Sequence, residues 1–368
     1  MKKLLTAIIV MLMISALLLT ACSNANTTAS KDEAPSALSA TSAPSATSAS
    51  SALSATSALS ATSASSALSA TSAPSAATAE TAASAESIFR DPYATENRYD
   101  IPASMFEKQS GVDYGRLDKD VTYYSTVAED NKQVNVLLPA GYDESRVYPV
   151  MYVVHGFDAN HNSHVGTDSY LTLLYGNMLN EGLTVPMILV GIDMYTDKLA
   201  DKEEKTFREL RYIYDKVIDE IKIDLMPFIE QTYPVSTERK DTAVAGVSEG
   251  GAKSLCIGFN WLDEFGWIGG FAPDANVIPT GDDPSNYWFD PYMQEFPRPN
   301  ESNTPYYVYM AVGSEDPWNI DCTFLYRDKL NEIGVKNQTD YAQGYGHDSE
   351  FWGQCYYNFL TKVFQPAD

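Results

Sequence analysis

Gly246-Val247-Ser248-Glu249-Gly250-Gly251 is the stretch on which the reading of this chain turns. A short apolar run, Thr242-Ala243-Val244-Ala245, precedes it. Ala252-Lys253-Ser254-Leu255-Cys256-Ile257, which reads as a helix, follows it. Strand, G-x-S-x-G, helix is the setting in which this motif has a mechanism. The turn is so tight that the serine takes strained backbone angles, and the flanking glycines leave room for neighbouring backbone. The hydroxyl is held up at the C-terminal edge of the strand. The helix beneath it offers backbone N–H groups and a positive dipole end to a developing oxyanion. Ser248 is therefore the candidate nucleophile.

A serine hydroxyl attacks poorly at neutral pH unless a base takes its proton and a third group orients that base. Where the serine sits on such a turn, the partners follow in the order acid, then histidine. The chain has four histidines, and only His347, in Gly344-Tyr345-Gly346-His347-Asp348, lies beyond Ser248. It is the candidate base. Asp316 closes Gly313-Ser314-Glu315-Asp316, just past the apolar run Tyr306 to Val312, and is the candidate acid. Glu315, Asp321 and Asp274 compete with it. The two oxyanion donors are expected to be the backbone N–H groups of Glu249 and of Phe157. Phe157 lies in the loop His155-Gly156-Phe157-Asp158, where Gly156 allows close approach. His155 is read as a support for that loop.

Around this stretch, apolar runs alternate with helical patterns. Val121 to Val127 and Val134 to Leu138 read as a hairpin. Pro149 to Val154, Met187 to Gly191, Ile268 to Phe271, Tyr306 to Val312 and Thr339 to Ala342 read as further strands. Leu171 to Glu181, Phe207 to Tyr233, Phe324 to Ile333 and Phe351 to Val363 read as helices, with charged residues of the second on its outer face. Pro273 to Asn303 reads as a long loop. The expectation is an α/β fold: a mostly parallel central sheet, helices on both faces, and an N-terminal antiparallel hairpin at one edge.

The first 87 residues are of another kind. Lys2-Lys3, an apolar run from Leu4 to Leu19, and Leu19-Thr20-Ala21-Cys22 predict a lipoprotein signal peptide over 1–21 and a lipid on Cys22. Residues 22–87 collapse to Ser, Ala, Thr and Pro, with too little apolar surface to fold. They predict a disordered tether, with a reach on the order of 45 Å for about 60 residues. Residues 88–368 make the folded domain. This organisation places the domain on the extracellular face of a bacterial cell membrane.

A net charge of −24 argues against nucleic acid, which requires clustered Lys and Arg. Cys256, Cys322 and Cys355 are left beside Cys22. An odd count does not pair completely, and a Cys322–Cys355 disulfide stays open. No metal and no cofactor are expected. Trp318, Trp352, Tyr345 and the loop residues Tyr287, Trp288, Phe289 and Tyr292 are candidates for an aromatic wall beside Ser248.

Val150-Met151-Tyr152-Val153-Val154-His155-Gly156, Ala245 to Gly251, Gly313-Ser314-Glu315-Asp316 and Gly346-His347-Asp348 with Trp352 together resemble carbohydrate esterase family 1, the group of feruloyl and acetylxylan esterases. Leu225 to Glu230 and Leu262 to Phe265 fit as well, so the resemblance spans about Val121 to Phe364. It implies an α/β-hydrolase fold, with Ser248, Asp316 and His347 as the triad. It implies as substrate a feruloyl or acetyl ester on plant xylan. Glu249 departs from the methionine common at that place in the family, and a carboxylate there is expected to oppose the oxyanion. Two other readings stay open. One is a general carboxylesterase or acyltransferase. The other is a glycan-binding surface lipoprotein on an inactive scaffold.

Overall fold

The structure is a computed structural model, and it describes residues 88–280 and 290–367. The predicted signal peptide, Cys22 and the tether lie outside the described residues, as do Tyr287, Trp288 and Phe289.

Eight strands form one sheet: β1 (Arg116–Ser125), β2 (Asp130–Leu138), β3 (Val150–Val154), β4 (Ile188–Ile192), β5 (Thr242–Val247), β6 (Trp267–Phe271), β7 (Tyr307–Gly313) and β8 (Gln338–Ala342). Their order is β1-β2-β4-β3-β5-β6-β7-β8. The first two neighbouring pairs, β1–β2 and β2–β4, run antiparallel and all the others parallel. The expected fold is thus present, with its hairpin at one edge.

The alternation of the strands decides what each face buries. On one face, Val136, Tyr152, Val190, Val244, Ile268 and Val308 share a core with helical residues such as Tyr214, Ile218, Leu255 and Tyr326. On the other, Leu137, Met151, Leu189, Ala245, Phe271 and Tyr309 pack with Leu174, Met178, Cys355 and Phe359. Helices therefore cover both faces. In chain order they are α1 (Tyr170–Asn180), α2 (Phe207–Asp215), α3 (Val217–Glu220), α4 (Met226–Thr232), α5 (Glu249–Asn260), α6 (Ile320–Glu332) and α7 (Ser349–Leu360).

Two local departures have clear causes. β1 begins at Arg116, before the expected Val121, because Arg116 to Asp120 is charged and gave no apolar alternation. An irregularity between Asp118 and Val121, with Asp120 at φ 54°, joins the two parts. The stretch expected as one helix from Phe207 to Tyr233 is broken into α2, α3, a π-helical turn at Ile221–Leu225, and α4. Pro227 lies in the first turn of α4, directly after the π-helical turn. The charges of this stretch are not all on its outer face. Arg211 and Glu220 are buried. Glu220 receives hydrogen bonds from Tyr123 and, at 3.3 Å, from Lys132.

Candidate active site

Ser248 stands between β5 and α5 with φ 55° and ψ −125°, a region costly for a residue with a Cβ, by about 1–3 kcal/mol. Its neighbours hold it there. Ser248 N donates to Phe271 O at 2.8 Å, and Ser248 O accepts from Ala252 N at 3.0 Å and Asp274 N at 3.3 Å. The flanking glycines are required by space. A Cβ at Gly250 would lie 2.2 Å from His155 O, and one at Gly246 would lie 2.4 Å from Gly250 O.

The three residues read from the sequence as nucleophile, base and acid meet in space. His347 Nε2 is 2.9 Å from Ser248 Oγ, and His347 Nδ1 is 2.7 Å from Asp316 Oδ2. An ionised carboxylate only accepts, so Nδ1 carries the hydrogen and Nε2 is left to accept from the serine. Asp316 Oδ1 accepts from the amides of Trp318 at 2.9 Å and Asn319 at 3.0 Å. Burial works to raise the Asp316 pKa, but the bonds from His347 and these amides outweigh it and hold the carboxyl below its ordinary value.

The acid and histidine loops are stitched together. Ser314 N donates to Ala342 O at 2.8 Å, Glu315 N to Tyr345 O at 2.9 Å, and Gly344 N to Ser314 Oγ at 2.9 Å. A Cβ at Gly313 would lie 2.2 Å from Tyr345 O, so the approach of the two loops depends on that glycine. The competing acid Asp274 is engaged elsewhere, ion-paired to Arg211 at 2.5 Å.

His155 supports the loop at the end of β3. Its Nδ1 lies 2.6 Å from Gly156 O, and its Nε2 accepts from Met194 N at 3.0 Å. A Cβ at Gly156 would lie 3.6 Å from Ser248 Cβ, so this loop passes directly beside the serine, with Phe157 next in the chain.

The aromatic residues divide. Trp318 and Trp352 both set their rings edge-on to His347, each with centroids 5.4 Å away. Trp318 is 64% exposed and open to a ligand. Tyr345 instead donates its phenolic hydrogen to Tyr99 O, so its hydroxyl is spent on holding the loop. Tyr292 packs against the core. Trp288 lies outside the described residues.

Glu249 is where the sequence misleads most. Its carboxylate is fully buried, paired with Arg211 at 2.5 Å and Lys253 at 3.0 Å, and accepts from Asn276 Nδ2 at 2.9 Å. Lys253 in turn pairs with Asp215. Burial works to lower the Lys253 pKa, but Glu249 and Asp215 hold it above its ordinary value. The charge expected to oppose an oxyanion is thus paired with two cations, which it shares with Asp274 and Asp215. It also lies in the first turn of α5, where the helix dipole favours it. Arg211, Lys253 and Asn276 had no motif to mark them. The only trace was an arginine on the apolar side of a helix otherwise read as amphipathic.

Comparison with known proteins bears on the fold and the family. The model of the Esterase family, described as Putative esterase, matches residues 125–359. A solved structure of a CE1 ferulic acid esterase from Anaeromyces mucronatus, in complex with ferulic acid, superposes with a TM-score of 0.66. It is 32% identical, over 73% of this chain and 98% of that one. Among curated proteins, an endo-1,4-beta-xylanase/feruloyl esterase of Xylanibacter ruminicola is 24% identical over 73% of this chain and 35% of its own length. Endo-1,4-beta-xylanase Y of Acetivibrio thermocellus is 24% identical over 58% of this chain and 20% of its own. The chain thus spans about a third and a fifth of the two curated relatives. An elbow serine bonded to a histidine and an acid, on a sheet of this order, is here joined to a family match over most of the folded residues, and the chain belongs to the Putative esterase family, in the carbohydrate esterase family 1 group.

Proposed function

We propose that this protein is a serine esterase that hydrolyses feruloyl esters on plant xylan, with Ser248 as nucleophile, His347 as general base and acid, and Asp316 as the group that orients it. The observation that carries the proposal is the hydrogen-bonded chain Ser248–His347–Asp316, at 2.9 and 2.7 Å, on a strained elbow. His347 takes the serine proton as Ser248 attacks the ester carbonyl. The backbone amides of Glu249 and Phe157 receive the oxyanion. His347 then protonates the departing sugar oxygen, leaving an acyl-enzyme, and activates the water that releases the acid. The feruloyl choice is supported by the likeness to the Anaeromyces mucronatus ferulic acid esterase and by Trp318 beside His347.

The test is turnover of methyl ferulate and of acetylated xylan by the protein and by Ser248→Ala. Methyl ferulate is expected to be cleaved by the first and not the second. Cleavage of acetylated xylan alone would move the substrate to acetyl esters. Equal behaviour of the two proteins would remove the serine mechanism.

We further propose that the domain is held to the outer face of the membrane by lipid on Cys22, which the run Leu19-Thr20-Ala21-Cys22 supports. Metabolic labelling with a fatty acid should mark the full chain and leave Cys22→Ala unlabelled.

A further inference from the structure

The two amides proposed to receive the oxyanion come from residues far apart in sequence, and one buried side chain packs against the side chains of both. Arg211 Nη1 lies 2.5 Å from Glu249 Oε2, and its Nη2 lies 2.5 Å from Asp274 Oδ2. Its guanidinium carbon is 5.9 Å from the centre of the Phe157 ring and 5.7 Å from that of Phe207. The Phe157 and Phe207 rings pack with centroids 4.3 Å apart. Asp274, held by the same guanidinium, donates its N–H to Ser248 O at 3.3 Å.

Arginine suits this task, because one planar, permanently charged group here donates through Nη2 to Asp274 and ion-pairs through Nη1 with Glu249. The base on which it stands is also fixed. α2 opens with a capping box, in which Thr206 accepts from Glu209 N while Glu209 accepts from Thr206 N. The charges fit as well. Glu249, Asp274 and Asp215 face two cations, Arg211 and Lys253. Removing Arg211 would break the ion pair of Asp274 with it and leave Glu249, the residue carrying an oxyanion amide, paired among the described residues with Lys253, which Asp215 shares.

We propose that Arg211 is a positioning residue for the oxyanion hole: it sets the spacing of the Glu249 and Phe157 amides and offsets the Glu249 charge beside the developing oxyanion. This rests on the reading of Ser248 as nucleophile. Its effect belongs to the transition state, since the ground-state carbonyl carries little charge.

The experiment measures kcat and KM on 4-nitrophenyl acetate, a small ester that does not depend on the natural acyl group. It compares Arg211→Met, Arg211→Lys, Arg211→Met/Glu249→Met and Ser248→Ala, each checked for folding by thermal melting. A lost oxyanion donor costs about 10²–10³-fold in kcat, so Arg211→Met is expected to lose about 10²-fold in kcat with KM within about threefold. The double variant, which removes the charge with its partner, should recover at least about tenfold of that. Should Arg211→Met not fold, Arg211→Lys decides. It keeps the charge without the fork and should lose about tenfold in kcat alone. Folded Arg211 variants with wild-type kcat, or with a loss confined to KM, would overturn the proposal. Ser248→Ala at wild-type rate would overturn the nucleophile reading instead.

Discussion

Asp316 holds His347 with one carboxylate oxygen at 2.7 Å and is itself held through the other by the amides of Trp318 and Asn319. The histidine is therefore oriented by a group that cannot turn. Asp316→Asn presents an amide that can keep the shape while favouring the wrong tautomer of His347. We expect kcat to fall by about 10⁴-fold with the protein folded. Steady-state kinetics with a thermal melt would check this, and a loss under tenfold would remove Asp316 from the triad.

The same carboxylate links stability to acid. Its pKa in the folded protein is below the ordinary value, so the stability it contributes is complete above the unfolded value of about 3.9. That contribution is lost as pH falls through the lower folded value. The melting-temperature gap between wild type and Asp316→Asn should shrink as pH falls below about pH 4. A gap that widened below about pH 4 would contradict the sign.

Crowding separates two glycines beside the serine. A Cβ at Gly250 would meet backbone at 2.2 Å, whereas one at Gly156 would make its shortest contact at 3.6 Å. Gly250→Ala is expected to destabilise by about 1–3 kcal/mol or more, because no flexible atom can yield. Gly156→Ala should fold near wild-type stability. Chemical denaturation of the two variants compares them.

Tyr345 and Trp318 are both candidate substrate contacts from the sequence, but their settings differ: the Tyr345 hydroxyl is bonded to Tyr99 O, and Trp318 is exposed. Trp318→Ala is expected to raise KM on methyl ferulate. Tyr345→Phe removes a hydrogen bond to Tyr99 worth about 0.5–1.5 kcal/mol, so it should lower the melting temperature by a few degrees, about 2–4 °C per kcal/mol. It should leave KM unchanged.

Cys256, Cys322 and Cys355 are free and buried. Burial pushes the Cys256 thiol up to about 12. All three are expected to be silent to a thiol reagent in the folded protein and to react once it is denatured. A reductant should leave the melting temperature unchanged, and a shift would restore the Cys322–Cys355 pairing.

What the chain announced by itself was local. Glycines two residues either side of Ser248, apolar runs of strand length and a lone downstream histidine are patterns set by neighbours in sequence. They made the sheet, the elbow and the choice of Ser248, Asp316 and His347 as candidates legible in the sequence. What only the tertiary structure decided was pairing across distance. The fold brings Arg211 to Glu249, 38 positions later, and Tyr345 to Tyr99, 246 positions earlier. A carboxylate read alone is a charge beside an oxyanion. The same carboxylate, buried against two cations and an amide, is a fixed part of the support, because ion pairing depends on which residues share a volume and sequence spacing does not record that.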